Sequence, residues 1–206
     1  MMGYETFEIK GYYVEYMEDT HTYLVDGIEL PSITQILKIK FGNKYDGISK
    51  EVLNRAAELG TLMHQAIQDY EEKGTETDLK ELHNYKFLKK HYKWECIANE
   101  VPIILFKDGD PIACGRIDEV IKIGNDYGLM DFKRTSALDK EYLCYQLNLY
   151  RIAYQQCYDT EIKQLKGLHL REDIRKCINI PINENEALKL LNEFLEGRKN
   201  GKENNE

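Results

Sequence analysis

"GRIDEVIKIGNDYGLMDFKRTS", Gly115 to Ser136, is the stretch that decides the fold and most of the chemistry. It holds two strand-like runs joined by the turn-forming Gly124-Asn125-Asp126. The first run carries Asp118. The second carries Asp131 and Lys133 around one apolar residue, Phe132. Side chains alternate faces along a strand, so Asp131 and Lys133 share a face and Phe132 turns away. Antiparallel pairing brings Asp118 close to Asp131, and two neighbouring carboxylates repel unless something positive lies between them. A divalent ion is the usual solution, and hard oxygen ligands favour magnesium or manganese. Lys133 beside such an ion can position a water and help deprotonate it, while the ion lowers the water's pKa and takes up charge on a phosphoryl group. The same residues also fit a plain Asp/Lys ladder on an edge strand, and so short a motif does not separate the two readings.

Working outward, residues 6–30 read as β, with Asp26-Gly27 as a tight turn before Ile28. Pro31 ends that run, and Ser32 followed by Gln35 is a capping-box pattern that opens a short helix to about Lys40. Ser49 reads as the N-cap of a long helix ending at Gly74, with an apolar stripe through Leu53, Gly60, Met63 or His64, Ile67 and Tyr70. A second helix covers about 79–94. Strands follow over 100–106, 113–123 and 127–134, then a helix over 140–157, strands over 164–170 and 176–182, and a helix from Glu184 to Leu195. This order, with a β-hairpin in front, is that of an α/β sheet protein.

The chain has 206 residues, 42% of them hydrophobic, which suits one domain or one domain with a lobe. No apolar run approaches the length of a membrane span, and the first residues resemble neither a signal nor a transit peptide, so the expectation is a cytoplasmic protein with no membrane partner. Five widely spaced cysteines without a C-x-x-C pair argue against a zinc site or a disulfide framework. A net charge of −8 excludes a surface that coats nucleic acid everywhere, but leaves room for a local basic groove. The run "YKFLKKHYKW", 85–94, could line a path for single-stranded DNA by stacking and charge, or could be an ordinary amphipathic helix with solvated lysines.

"GRID" at 115–118, "MDFKRTS" at 130–136 and "YQLNLY" at 145–150 together resemble the PD-(D/E)XK nuclease superfamily, in its RecB-like exonuclease branch. Gly115 and Asp118 match G-x-x-D; Asp131 and Lys133 match (D/E)-x-K; Gln146 and Tyr150 match Q-x-x-x-Y. Upstream, "GTLMH" at 60–64 matches the branch's G-x-x-x-H, and Glu100 matches an acid on the first core strand. "LPSITQIL" at 30–37 is similar to a segment of phage exonucleases and of the mitochondrial genome-maintenance exonuclease. The likeness runs from about residue 20 to 160.

The resemblance implies a restriction-endonuclease-like core, a mixed central sheet flanked by helices. It implies an extension over 1–48, a nuclease core over 49–197 and a disordered tail over 198–206. It implies that His64, Asp118, Asp131 and the Phe132 carbonyl bind Mg²⁺ or Mn²⁺, that Lys133 positions the water and that Glu100 assists. Gly60 would let its helix approach the sheet so that His64 reaches the metal. Arg134, Ser136, Gln146 and Tyr150 would serve DNA. Cys157 and Cys177 are isolated, so no iron–sulfur cluster is expected, and no G-x-x-x-x-G-K-[ST] is present, so no ATP site. The expected activity is a DNA exonuclease of phage or prophage recombination, repair or replication, with a recombinase or single-strand-binding protein as a further partner. The alternatives are a structure-specific endonuclease or nickase on the same fold, and a non-catalytic DNA-binding accessory protein.

Overall fold

The computed structural model describes residues 4–18, 20–42 and 47–203, with side chains to Arg198. Four short strands come first: β1 (Tyr4–Ile9), β2 (Tyr12–Met17), β3 (Thr22–Val25) and β4 (Ile28–Leu30), an antiparallel sheet in chain order. The expected hairpin is thus extended to four strands. Asp26 and Gly27, at φ 49° and 78°, make the tight turn before β4, the left-handed pair that matches the twist of a hairpin. Asp26 Oδ1 accepts the Tyr13 N–H at 2.9 Å, tying the turn back to β2. The α1 helix (Ile33–Phe41) starts with the capping box read from the sequence: Ser32 Oγ accepts the Gln35 N–H at 3.2 Å, and Gln35 Oε1 accepts the Ser32 N–H at 3.0 Å.

Two helices follow, α2 (Lys50–Lys73) and α3 (Lys80–Tyr92), then the hairpin strands β5 (Glu95–Lys107), β6 (Asp110–Ile123) and β7 (Asp126–Lys133). The chain then crosses over through α4 (Lys140–Tyr158) to β8 (Ile162–Leu170), which pairs parallel with β7. A parallel neighbour needs such a crossover, because a tight turn cannot reverse the chain twice. β9 (Arg175–Ile180) returns antiparallel at the edge, and α5 (Glu184–Glu203) closes the chain. The result is a mixed five-stranded sheet, β5-β6-β7-β8-β9, flanked by helices.

The sheet buries both faces. Met63 and Ile67 of α2 and Leu82, Tyr85 and Leu88 of α3 pack with Met130, Phe132 and Leu168. Ile36 of α1, Leu147 of α4 and Leu190 of α5 pack with Ile117, Leu129 and Leu165, together with Val14 and Val25 of the small sheet. The small sheet joins the large one at Pro31, whose carbonyl accepts the Cys114 N–H at 2.9 Å. Next to that joint, a side chain at Gly115 would lie 3.1 Å from Tyr150 and 3.3 Å from Ile33, so the glycine lets α1 and α4 seat close against β6. Among the described residues no helix is long and apolar enough to cross a membrane.

Two features differ from the sequence reading. The last helix continues to Glu203, so 198–203, expected to be disordered, are helical; 204–206 lie outside the described residues. The segment lacks proline, and Arg198, Lys199, Lys202 and Glu203, good helix formers, offset Asn200 and Gly201 in a helix already anchored by Ala187, Leu190 and Leu191. The apolar stripe of α2 is buried only at Met63, Ala66 and Ile67.

Candidate metal centre

The β6–β7 pairing runs from Ile123↔Asp126 to Glu119↔Met130, and one step further would set Asp118 opposite Asp131. There the ladder gives way: the Phe132 N–H donates to Asp118 Oδ2 at 2.5 Å. On the other side of β6, Asn99 pairs with Glu119 and Val101 with Ile117, but Glu100 and Asp118 between them do not pair. Glu100 sits at φ 48°, a left-handed conformation that costs a residue with a Cβ about 1–2 kcal/mol. Such strain persists only where the surroundings enforce it, and it concentrates at functional sites.

The Glu100 carboxylate lies 3.5 Å from His64 Nδ1, and Asp118 Oδ1 lies 3.8 Å from the same nitrogen. One ligand atom from each of His64, Glu100 and Asp118 falls within 4.8 Å of the others. Two carboxylates and an imidazole at this spacing fit a small divalent ion, magnesium by its oxygens and manganese by either donor type. Asp131 stands beside them, 1% exposed, with its Oδ2 2.5 Å from Lys133 Nζ. His64 also lies against the Phe132 ring, centroids 5.6 Å apart.

Three cations oppose the three acids. Burial pulls the His64 imidazole toward neutrality, but Asp118 and Glu100 outweigh it and push its pKa up to about 9. Burial also disfavours the Lys133 ammonium, and Asp131 and Asp118 again win, so its pKa is raised. Asp131 is driven up to about 6, chiefly by burial and against the pull of Lys133. Burial raises Asp118 too, opposed by His64. The third cation is Arg116, with Nε 3.9 Å from Glu100 Oε2 and Nη2 on Glu5. Its guanidinium lies over the rings of Tyr16 and Phe7, 4.6 and 5.4 Å from their centroids. The small sheet therefore forms one wall of the site.

The sequence-derived residues divide. His64, Glu100, Asp118, Asp131 and Lys133 converge at the break in the sheet. Of the four assigned to DNA, Ser136 is exposed, but Arg134 is committed elsewhere: its Nε donates at 2.7 Å to Glu81 of α3, itself 1% exposed. Gln146 and Tyr150 are buried under the site, Gln146 Nε2 donating to Tyr150 OH at 3.2 Å. The i, i+4 face they share is the one α4 buries against the sheet. Gly60 does not make the close approach expected of it, since a side chain there would meet open space. Arg116 was in plain view inside "GRID", yet its partners Glu5, Phe7 and Tyr16 come from a separate sheet. His169 pairs with Lys133 across the parallel ladder, and its Nε2 lies 2.7 Å from the Thr135 carbonyl, fixing the loop that follows the lysine. No sequence signal marked it.

No family model matches this sequence, and no curated protein does. Among solved structures, the crystal structure of SSO0001 is similar over 80% of this chain and 73% of its own, at 16% identity and a TM-score of 0.44.

Proposed function

We propose that the chain is a metal-dependent DNA exonuclease of the PD-(D/E)XK type. The observation that carries this reading is the meeting of a His64–Glu100–Asp118 cluster with the Asp131–Lys133 pair at one break in the sheet. A left-handed Glu100 at that break supports it: Asp26, Asp108 and Asp159 adopt the same conformation at turns and a helix end, whereas Glu100 adopts it inside a strand. The motif order and the mixed sheet agree with the resemblance drawn from the sequence.

His64, Glu100 and Asp118 would hold Mg²⁺ or Mn²⁺, with Asp131 and the Phe132 carbonyl adjacent. Bound there, the ion supplies a water of lowered pKa and offsets charge on the phosphate. Lys133 acts as a donor. Its ammonium is held charged by Asp131 and Asp118 against the effect of burial, so it orients a water or a phosphate oxygen and does not itself accept the proton. The Phe132 N–H fixes the Asp118 carboxylate, and Arg116 holds Glu100 in place from the small sheet.

The test is an assay with Mg²⁺, Mn²⁺ or EDTA on linear single-stranded DNA and on covalently closed single-stranded circles. Degradation of linear DNA with metal, none in EDTA, and survival of the circles is the expected result. Rapid cutting of the circles would make the enzyme an endonuclease. Inertness toward both would leave a non-catalytic DNA-binding protein.

A further inference from the structure

The outer face of α3 carries flat groups and cations that the metal centre does not use. Phe87 is 49% exposed, and the Arg175 guanidinium of the edge strand β9 stacks on its ring at 3.5 Å. On the same helix face the His91 ring lies parallel to Phe87, within 7°, with centroids 6.2 Å apart. Tyr92, also exposed, meets His91 edge-on at 4.8 Å and has Lys166 6.0 Å from its ring. Guanidinium, phenyl and imidazole thus form a short open stack.

The charge around it is uncompensated. Lys86 and Lys89, on the flank of α3, are ion-paired with Glu76 and Glu71. Among the described residues, Lys90, Lys93 and Arg175 have no carboxylate partner, in a chain of net charge −8, while the buried Lys166 is held by Asn179 Oδ1 at 2.7 Å. Phe87, Lys90 and His91 are spaced i, i+3 and i+4, so they share one face. The strip starts at the same end of the sheet as Lys133: Lys133 pairs with His169 of β8, and Leu170, the next residue, pairs with Arg175 of β9. The nearest acid on the β8–β9 turn, Glu172, is 3.8 Å from Arg134.

We propose that this face of α3 and β9 is a binding strip for single-stranded DNA, with bases stacking on the Arg175–Phe87–His91 ladder and phosphates meeting the exposed Lys90 and Lys93. Every base has a π-face, so aromatic groups interleaved with free cations accept a strand without reading its sequence. A duplex hides those faces and gains little. The choice of DNA rests on the nuclease reading; the stacking chemistry does not.

The experiment measures binding of a fluorescein-labelled oligothymidylate by anisotropy in EDTA, so that cleavage plays no part. Phe87→Ala and Arg175→Ala should each weaken binding roughly tenfold, within the range for losing one stacked base. Lys90→Ala should reduce the salt dependence by about 0.7 in slope, one phosphate contact on a single strand. Phe87→Trp should retain affinity, and its indole fluorescence should be quenched on binding; the native Trp94 is buried and serves as the silent background. Lys189→Ala, on α5, should change nothing. Unchanged affinity in Phe87→Ala, absence of quenching in Phe87→Trp, or equal dependence on Phe87 for blunt duplex would each overturn the strip. Because cleavage is assayed separately with metal, stack-dependent binding without nuclease activity leaves the strip standing and removes the nuclease. Nuclease activity with indifferent Phe87 and Arg175 variants does the reverse.

Discussion

Asp118 and Glu119 are consecutive residues of β6, and they end in opposite regimes. Asp118 lies at the break in the sheet, facing His64, Glu100 and the Phe132 N–H. Glu119 lies on the ladder, 0% exposed, beneath α3. Its Oε1 accepts the Trp94 indole N–H at 3.2 Å and lies 2.9 Å from Tyr85 OH, which is also 2.9 Å from Glu71 Oε1. One phenol proton cannot serve two carboxylates, so the network needs a second proton. Burial, the largest influence on Glu119, pushes its pKa up to about 8 and places that proton there. Both acids are removed from water. What differs is the company: His64, Lys133 and Arg116 surround the acids at the break, whereas Glu119 itself meets the neutral donors Tyr85 and Trp94, and the nearby Lys89 pairs with Glu71 instead. Burial is common to both acids, so it is the convergence of possible ligand atoms at a broken ladder that makes Asp118 the candidate.

The largest expected effect breaks the pair apart directly. Asp118→Asn should reduce metal-dependent cleavage to background while the far-ultraviolet circular dichroism stays that of the parent. Glu119→Gln should cleave like the parent, because an amide reproduces the donor and acceptor of the protonated acid. Equal loss of activity in both variants would mean that the two clusters act as one site. Next in size is Lys133→Ala, expected to slow cleavage by at least about two orders of magnitude, the scale of a positioned catalytic group. Titration calorimetry with Mn²⁺ should still register binding by this variant, since Lys133 donates hydrogen bonds and is no ligand. Binding lost together with activity would make it a structural partner of Asp131 only.

Periodicity, caps and turn residues carried most of the fold, because each is a local property: Ser32 with Gln35, Asp26-Gly27 and the alternation of 126–133 are legible where they stand. Asp118, Asp131 and Lys133 stood out by their places on two adjoining strand runs, whereas Glu100 and His64 stood out only through the resemblance. The parts that escaped are long-range. Nothing near Arg134 announces that Glu81, distant in the chain, will claim its guanidinium. Nothing near Arg116 announces Glu5 or the Tyr16 ring. The left-handed Glu100 escaped because the expected strand starts at residue 100, whereas the strand runs from Glu95 to Lys107 and Glu100 interrupts it from within. Gln146 and Tyr150 were placed on one helix face correctly, but a helix has two directions to turn that face, and only packing decides between them.

A stability measurement sharpens the comparison from the other acid. Burial pushes the Glu119 carboxyl from its ordinary value near 4.5 up to about 8 in the fold. Between those values the folded state keeps a proton that the unfolded chain has lost, so Glu119 makes stability fall as pH rises through that window. Glu119→Gln removes this slope. Urea unfolding at about pH 5 should find variant and parent nearly equal, and at about pH 9 the variant should be more stable by on the order of a few kcal/mol. A gap that does not widen with pH would show that Glu119 is ionised in the fold.

The smallest effect concerns His64, and it carries the comparison back to the metal centre. In the metal-free protein the imidazole, pushed up to about 9 by Asp118 and Glu100 against its burial, holds a proton at neutral pH. That proton is what balances the two carboxylates, and the same nitrogen is the ligand. A metal ion must displace it, so binding and deprotonation are one event. Below about pH 9, Mn²⁺ affinity should therefore rise close to tenfold per pH unit, one proton released per ion bound, and level off above that pH. Calorimetry in buffers of different ionisation heat counts the proton directly. His64→Ala should bind Mn²⁺ at least about tenfold more weakly at high pH, where the parent imidazole is free to ligate, and its pH slope should flatten. An unchanged affinity and slope in His64→Ala would show that His64 is neither ligand nor source of the released proton, and leave it a packing residue against Phe132.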